Sequence, residues 1–369
     1  MKEIRTEMLL DKIQSVLGHL LNLEEQEFGD DVDPWKGFGK RDFGIAPWDW
    51  PQGVGLFGME MLQEYYGDTR YDSFFTEWIE KNQKDGLPSA NINTTAPYNM
   101  LLSLALRSGN KEYEEMCMER AKWLIKELPK TKEGGFQHVT TDLFDKTKTI
   151  QNEEQLWIDT LFMAVMFLAK AGVVYEEEQW IQEAIYQMLL HIRYLFDKQT
   201  GLFYHGFSFE RMDNFGGIYW ARGNSWFTYG VLQLLNILDG KMESSVRRYI
   251  ISAFTAQVKA LTTLQAESGL WNTILTDSET YEEVSGSALF AASIYRAVRT
   301  GILPKDYIVT AEKALWAILD NIADNGAVMN VSSGTAMGLD EKHYKDIIIA
   351  EMPYGQAMTM LALLEAVKY

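Results

Sequence analysis

The sequence predicts an all-α protein, an (α/α)6 barrel of six helical hairpins, built as one domain over residues 1–369. Three observations carry that prediction. Helical periodicity runs along almost the whole chain. The helices alternate between two kinds, apolar on most faces and amphipathic, which suits an inner ring wrapped by an outer one. The unit of buried helix, glycine, exposed helix and long loop recurs six times, at irregular intervals of about 45–70 residues. An open solenoid would need a polar face on its terminal repeats. The last helix, around 358–364, reads as internal, so closure is the better solution. No linker rich in Pro, Ser or Gly divides the chain.

The apolar helices are expected at about 51–66, 97–108, 155–171, 223–238, 283–299 and 353–367. Pro51, Pro97 and Pro353 open three of them, where a missing N–H has no helical partner to lose. Gly67, Gly109, Gly172, Gly240 and Gly301 follow five of them as left-handed stops. The amphipathic series begins with the stripe Ile13, Val16, Leu20 and continues with Phe74, Phe75, Trp78, Ile79. Tyr113, Cys117, Ala121, Leu124, Leu128 form the next, then Trp180, Ala184, Met188, Ile192, Leu195. Val246, Ile250, Ala253, Leu261 and finally Ile308, Ala311, Leu315, Ile318, Ile322 complete it. Each stripe puts one helix face on a core and the other in water.

Composition narrows the function. An apolar share of 47% with 23% mixed charge is that of a globular chain. A net charge of -18 argues against nucleic acid, whose binding requires Lys and Arg on phosphates. It does not exclude an anionic ligand held by a local Arg or His, since screening limits distant charges to roughly 8–10 Å. Cys117 is the only cysteine, which excludes an internal disulfide and a cysteine metal site. No His-x-x-x-His pair or carboxylate cluster at ligand spacing occurs, and no Gly-x-Ser-x-Gly or phosphate-cradling loop, so no metal or cofactor is expected. The first residues lead into an amphipathic helix and no run approaches ~20 apolar residues. A cytoplasmic protein with no membrane partner, monomeric or weakly oligomeric, is the expectation.

The loops that lead into the apolar helices hold the chemistry. They carry Trp48, Asp49 and Trp50, then Asn93, then His138, then His205, then Trp220, Arg222 and Trp226, with Trp271 and 333–338 after them. All enter inner helices from one end, so their aromatic and polar groups converge on one mouth. Aromatic platforms with a few polar groups suit a small concave site, and sugars pack on aromatic faces. Asp159 falls in the first turn of the apolar stretch 155–168. Burial would raise its pKa and keep it protonated near neutral pH, which makes a general acid. The other reading is an Asp that only caps or bonds backbone. Arg222 is suited to bidentate capture of a carboxylate, or to bridging loops. His138 and His205 each suit a bond to a sugar hydroxyl or carboxylate, or a structural role.

Ordinary glycosidases use two carboxylates. Asp49, Glu282 and Glu283 are the candidates for a second, and Asn93 opens the second inner helix without an ionisable group. One acid and one Arg suit protonation of a carbon–carbon double bond beside a carboxylate better than direct displacement.

The segments 48–55, 93–97, 156–163, 220–229 and 352–356, with the six-hairpin layout, resemble glycoside hydrolase family 105, the unsaturated rhamnogalacturonyl hydrolases. Trp-Ile-Asp-Thr-Leu-Phe-Met and Trp-Ala-Arg-Gly-Asn-Ser-Trp are the specific blocks. The related family 88, unsaturated glucuronyl hydrolases, shares fold and mechanism. The resemblance implies a 4,5-unsaturated uronic acid at the non-reducing end of a lyase product. It implies that Asp159 protonates C4, that water adds at C5 and that the hemiketal collapses to release the aglycone. It makes Asn93, His205, Trp220, Arg222, Trp226, His138 and Trp48 binding residues. Asn93 departs from members with Asp there, and so removes a like charge that would raise the pKa of Asp159. The rival readings are an unsaturated glucuronyl hydrolase, an inverting glycosidase using Asp159 and Asp49, and a catalytically silent glycan-binding barrel.

Overall fold

The computed structural model describes residues 2–24 and 43–369. In chain order its helices are α1 (Lys2–Leu21), α2 (Trp50–Tyr66), α3 (Asp72–Lys84), α4 (Tyr98–Ser108), α5 (Lys111–Lys126), α6 (Met166–Val174) and α7 (Glu178–Leu195). There follow α8 (Ala221–Ile237), α9 (Ser244–Leu264), α10 (Val284–Arg299), α11 (Ile308–Asp320), the short α12 (Glu341–Lys345) and α13 (Pro353–Lys368). Around the axis α2 packs on α4, α4 on α6, α6 on α8, α8 on α10, α10 on α13, and α13 returns to α2. That is a closed ring of six inner helices. The outer layer is α3, α5, α7, α9 and α11, and α1 packs on α13 to complete it. The first helix of the chain is therefore the outer partner of the last inner one.

The predicted stripes face inward. Ile13, Val16, Cys117, Leu124, Leu195, Leu261, Leu315 and Ile318 are inaccessible, and a single cluster of buried apolar side chains runs through both layers. Each large apolar side chain so buried contributes roughly 1.5–3 kcal/mol against an exposed reference. Helix ends follow the local chemistry. The Asp49 side chain accepts from the Trp50 amide at 2.8 Å and caps α2. The Glu283 carboxylate accepts from the Ser285 and Gly286 amides and caps α10.

Two local expectations are corrected. Gly172 is not a left-handed stop: α6 runs through it to Val174, because a Cβ there would lie 3.0 Å from the Ile181 amide nitrogen and only glycine lets the two helices touch. The apolar stretch from 155 does not begin as a helix. Gln155–Trp157 is a strand paired antiparallel with Gly206–Ser208, so that Trp157 faces Gly206. The unbroken apolar run hides the period of two that would mark a strand. The chain turns at Ile158 and Asp159, passes through a π-helical segment, Leu161–Val165, and only then becomes α6. Two other ribbons, Thr140–Thr141 with Thr149–Ile150 and Trp271–Asn272 with Glu282–Glu283, decorate the same end.

Candidate active site

The loops at the N-terminal ends of the inner helices enclose a cavity of about 320 Å³. Trp50, at the start of α2, forms one wall. Asn93 sits on a single 3-10 turn, Asn93–Thr95, that is pressed onto α2. Gly53 permits this, since a Cβ there would fall 2.6 Å from the Pro97 nitrogen. The segment before the Gln155–Trp157 strand adds His138, Thr140, Leu143, Ile150 and Asn152. Trp157, Asp159 and Met163 form the base, Trp220 a side, and Gly334, Thr335 and Ala336 the far wall. Three indole rings, Trp50, Trp157 and Trp220, thus surround a few polar groups. Asp159 is the only carboxylate among the described residues that line this cavity.

Asp159 ends the turn between strand and helix, and its carbonyl accepts from the Phe162 and Met163 amides at 3.1 and 3.0 Å. The carboxylate therefore sits at the positive end of a helix. Its side chain is 17% exposed, open to the cavity on one side and facing His205 Nε2 at 3.2 Å through Oδ2 on the other. His205 is buried, and its Nδ1 meets the Tyr344 hydroxyl at 2.7 Å. His138 stacks on Trp157 with ring centroids 4.2 Å apart and meets the Thr160 hydroxyl at 2.8 Å through Nδ1. Burial pushes His138 down to about 3, so it is neutral at physiological pH.

The electrostatics correct the expectation of a protonated acid in the free protein. Burial is the largest single influence on the Asp159 carboxyl and raises it. The close contact with His205, the electrostatic influence of the His205 and His138 rings and a backbone hydrogen bond of Asp159 itself outweigh burial and leave it below the ordinary carboxylate value. The sequence made the burial visible but not the histidine 3.2 Å away.

Of the residues singled out in the sequence, Asp159, Asn93, His138 and Trp220 line the cavity. His205 lies behind Asp159 and does not. Arg222 does not line it either. Its guanidinium is inaccessible, donating to the carbonyls of Ser332 at 2.6 Å and Ser333 at 2.7 Å, and it lies 3.8 Å from Glu283. Bonded through both terminal nitrogens, it clamps the chain just before the Gly334–Ala336 wall and does not line the cavity. Trp226 is likewise not a lining residue: it is buried one layer below, against Phe162 and Trp50. Trp48 donates to the Thr94 carbonyl at 3.0 Å, stacks on Trp78, and faces a neighbouring cleft. Asp49 caps α2 and opens on that same cleft, while Glu283 is consumed as a cap and Glu282 accepts from Ser268. Trp271 is core, donating to the Leu261 carbonyl. Tyr344 was not singled out, and no local pattern in 341–345 marks it.

A sugar-sized, indole-walled mouth with one histidine-flanked carboxyl, set on a double ring of helices, defines a glycoside hydrolase of the (α/α)6-barrel class. Residues 40–369 match the family model described as Glycosyl Hydrolase Family 88, and the chain belongs to that family. It is 32% identical over 331 residues, 89% of this chain and 92% of the other, to the unsaturated rhamnogalacturonyl hydrolase YesR of Bacillus subtilis (strain 168). The solved structure of "a possible member of GH105 family" from Salmonella enterica subsp. enterica serovar Paratyphi A is 37% identical, with a TM-score of 0.89 over 98% of this chain and 94% of that one. The unsaturated glucuronyl hydrolase of Bacillus sp. GL1, at 16% identity, shares the fold with a TM-score of 0.71 over 98% and 96% of the two chains. No helix among the described residues is long and apolar enough to cross a membrane.

Proposed function

We propose that the protein releases a 4,5-unsaturated uronic acid from the non-reducing end of lyase-generated oligosaccharides. The substrate we assign is unsaturated galacturonyl-rhamnose from rhamnogalacturonan, acted on in the cytoplasm by a one-domain monomer or weak oligomer. The observation that carries this reading is the single carboxylate, Asp159, lining the cavity. One acid cannot serve both roles of a direct displacement, in which acid and base or nucleophile are separate carboxylates. It can protonate an alkene. Similarity to YesR supports the rhamnogalacturonan choice.

In this mechanism Asp159 gives a proton to C4 and water adds to C5. The water's second proton returns to the Asp159 carboxylate, so that the net change is addition of one water. The C5 hemiketal opens to a ketone, and the hemiacetal left at C1 releases the aglycone. The free protein holds Asp159 below the ordinary carboxylate value, so the substrate must supply the upward shift. It carries its own carboxylate and displaces water from the cavity, and both a like charge and desolvation raise a neighbouring carboxyl. The Asn93 side chain makes no hydrogen bond among the described residues and lines the cavity, which leaves its amide for the sugar's hydroxyls. Neutral His138 offers Nε2 to the same ligand, because Nδ1 is tied to Thr160. Trp50, Trp157 and Trp220 supply faces for the ring.

The test uses the chromophore of the substrate. Incubation with unsaturated rhamnogalacturonan disaccharide is expected to abolish the ultraviolet absorbance of the C4=C5 bond, and Asp159→Asn is expected to leave it in place. Loss of absorbance only with an unsaturated glucuronyl disaccharide would move the substrate assignment. Tight binding of both with the absorbance intact would make the protein a silent binder.

A further inference from the structure

We infer that Tyr344 is a positioning residue for Asp159, fixing His205 as the Nε2–H tautomer so that the ring nitrogen 3.2 Å from the carboxylate is the protonated one. The inference rests on the reading of Asp159 as the acid. Three groups stand in line across one imidazole, with the Tyr344 hydroxyl 2.7 Å from Nδ1 and Asp159 Oδ2 3.2 Å from Nε2. The Gly338 amide donates to the Tyr344 hydroxyl at 3.1 Å, so that oxygen is already an acceptor and its own proton must go elsewhere. Its alternatives are His205 Nδ1 at 2.7 Å and the Met337 sulfur at 3.9 Å. A ring nitrogen is a far better acceptor than a thioether.

The opposite tautomer makes two bad contacts at once. With the proton on Nδ1, the phenol oxygen would receive two N–H donors and its own proton would be left with sulfur. The Nε2 lone pair would then lie 3.2 Å from a carboxylate oxygen, acceptor beside acceptor. Tyr344 and His205 are both buried, so water is not at hand to relieve either fault. Burial also pushes the Tyr344 phenol up, and it remains a proton donor throughout the working pH range.

The frame that delivers Tyr344 is built for close approach. α12 is capped by Asp340, which accepts from the His343 amide at 2.9 Å, and it is pinned to the loop after Trp271–Asn272 by Lys345 and Asp277 at 2.7 Å. A Cβ at Gly338 would meet the Tyr344 ring at 2.6 Å, and one at Gly206 would fall 2.3 Å from the Met337 methyl. Both glycines let the 337–344 segment fold down onto His205. The groups that act on Asp159 are His205, His138, His191, whose ring nitrogens face the Gln187 and Trp157 carbonyls, and Tyr344 itself. No Lys or Arg is among them, so after burial itself His205 has the largest influence on the acid.

The test is Tyr344→Phe, which keeps the ring and removes the hydroxyl. Without the lock His205 no longer keeps a protonated nitrogen beside Oδ2, and the carboxyl of Asp159 rises. Since Asp159 acts protonated, the pH at which kcat/KM falls on the alkaline side should move upward, by about half a unit or more, with turnover at the optimum reduced several-fold. Nitrogen-15 spectra of the histidines in the wild-type protein should show His205 protonated at Nε2 and not at Nδ1, and Tyr344→Phe should mix the two forms. A wild-type His205 protonated at Nδ1 would overturn the inference whether or not the variant folds. So would a folded Tyr344→Phe with an unmoved limb and an unmixed tautomer, because a packing role alone lowers stability without shifting a titration. Full turnover by Asp159→Asn would instead remove the acid reading. An inactive Asp159→Asn beside an unshifted Tyr344→Phe would remove only the positioning role.

Discussion

Both ends of the inner ring hold a cavity, about 320 Å³ at the mouth, lined by the one carboxylate Asp159, and about 410 Å³ at the floor, lined by Glu60, Glu64 and Glu365. They differ in what faces those carboxylates. At the floor Glu60 is paired with Arg107 at 2.5 and 2.9 Å, and Arg107 also binds Asp72. Glu365 is paired with Arg299 and Lys368, and Lys170 bonds Ser103. The cations sit near the C-terminal ends of the inner helices, where the helix dipole favours positive charge. At the mouth, Asp159 sits where the dipole favours negative charge and meets only histidine. A carboxylate held by a permanent cation stays ionised and serves the fold. One held by histidines, open to a cavity on its other side, can be re-protonated when an anionic ligand arrives.

That contrast is sharpest under substitution. Asp159→Asn should lower turnover by ~10²–10⁴-fold, the usual share of general acid catalysis, with a melting temperature close to that of the wild type. Steady-state rates and a thermal melt of the same preparation check it. Glu60→Gln should do the reverse. Glu60 is buried and its partner partly exposed, so stability should fall by about 1–3 kcal/mol, measured by denaturant titration, with kcat unchanged. A floor variant that lost turnover while keeping its stability would break the distinction between the two ends.

Arg222→Ala removes the clamp on Ser332 and Ser333 and so loosens the Gly334–Ala336 wall. The expected effect is a rise in KM of ~10-fold, the equivalent of one or two net hydrogen bonds, with a smaller change in kcat. The pH dependence gives the smallest effects. The substrate's carboxylate raises Asp159 in the complex, so the alkaline limb of kcat should lie above that of kcat/KM, which reports the free enzyme. Stability has its own signature. His138 and His191 are pushed down by burial to about 3 and about 4, from ordinary values of 6.5. Below pH 6.5 the unfolded chain takes up protons that the folded one does not, so melting temperature should fall steadily as pH drops from 6.5 toward 4.

The barrel was legible because its signal is repetitive. Apolar helices opened by proline, as at Pro51 and Pro353, and stripes such as Trp180 to Leu195 leave few other solutions. The strand at Gln155–Trp157 was not, since an apolar run looks alike at either period. The site was legible by residue type and less so by direction. Asn93, His138, Asp159 and Trp220 reach the cavity, whereas the guanidinium of Arg222 is claimed by a carbonyl 110 residues away. Tyr344 meets His205 across 139 residues of chain, a pairing that no local spacing encodes. The direction in which Asp159 is shifted depends on the same long-range contacts, which burial alone does not reveal.

The most direct test of hydration by Asp159 is turnover of the unsaturated disaccharide in heavy water, followed by proton NMR from the first minutes. The account predicts that the vinyl C4 proton signal disappears in step with aglycone release and that one deuterium enters C4 on a single face. It also predicts that neither happens with Asp159→Asn. Release of an aglycone together with an unsaturated sugar that keeps its vinyl proton and gains no deuterium would mean displacement at the anomeric carbon, and would contradict the account.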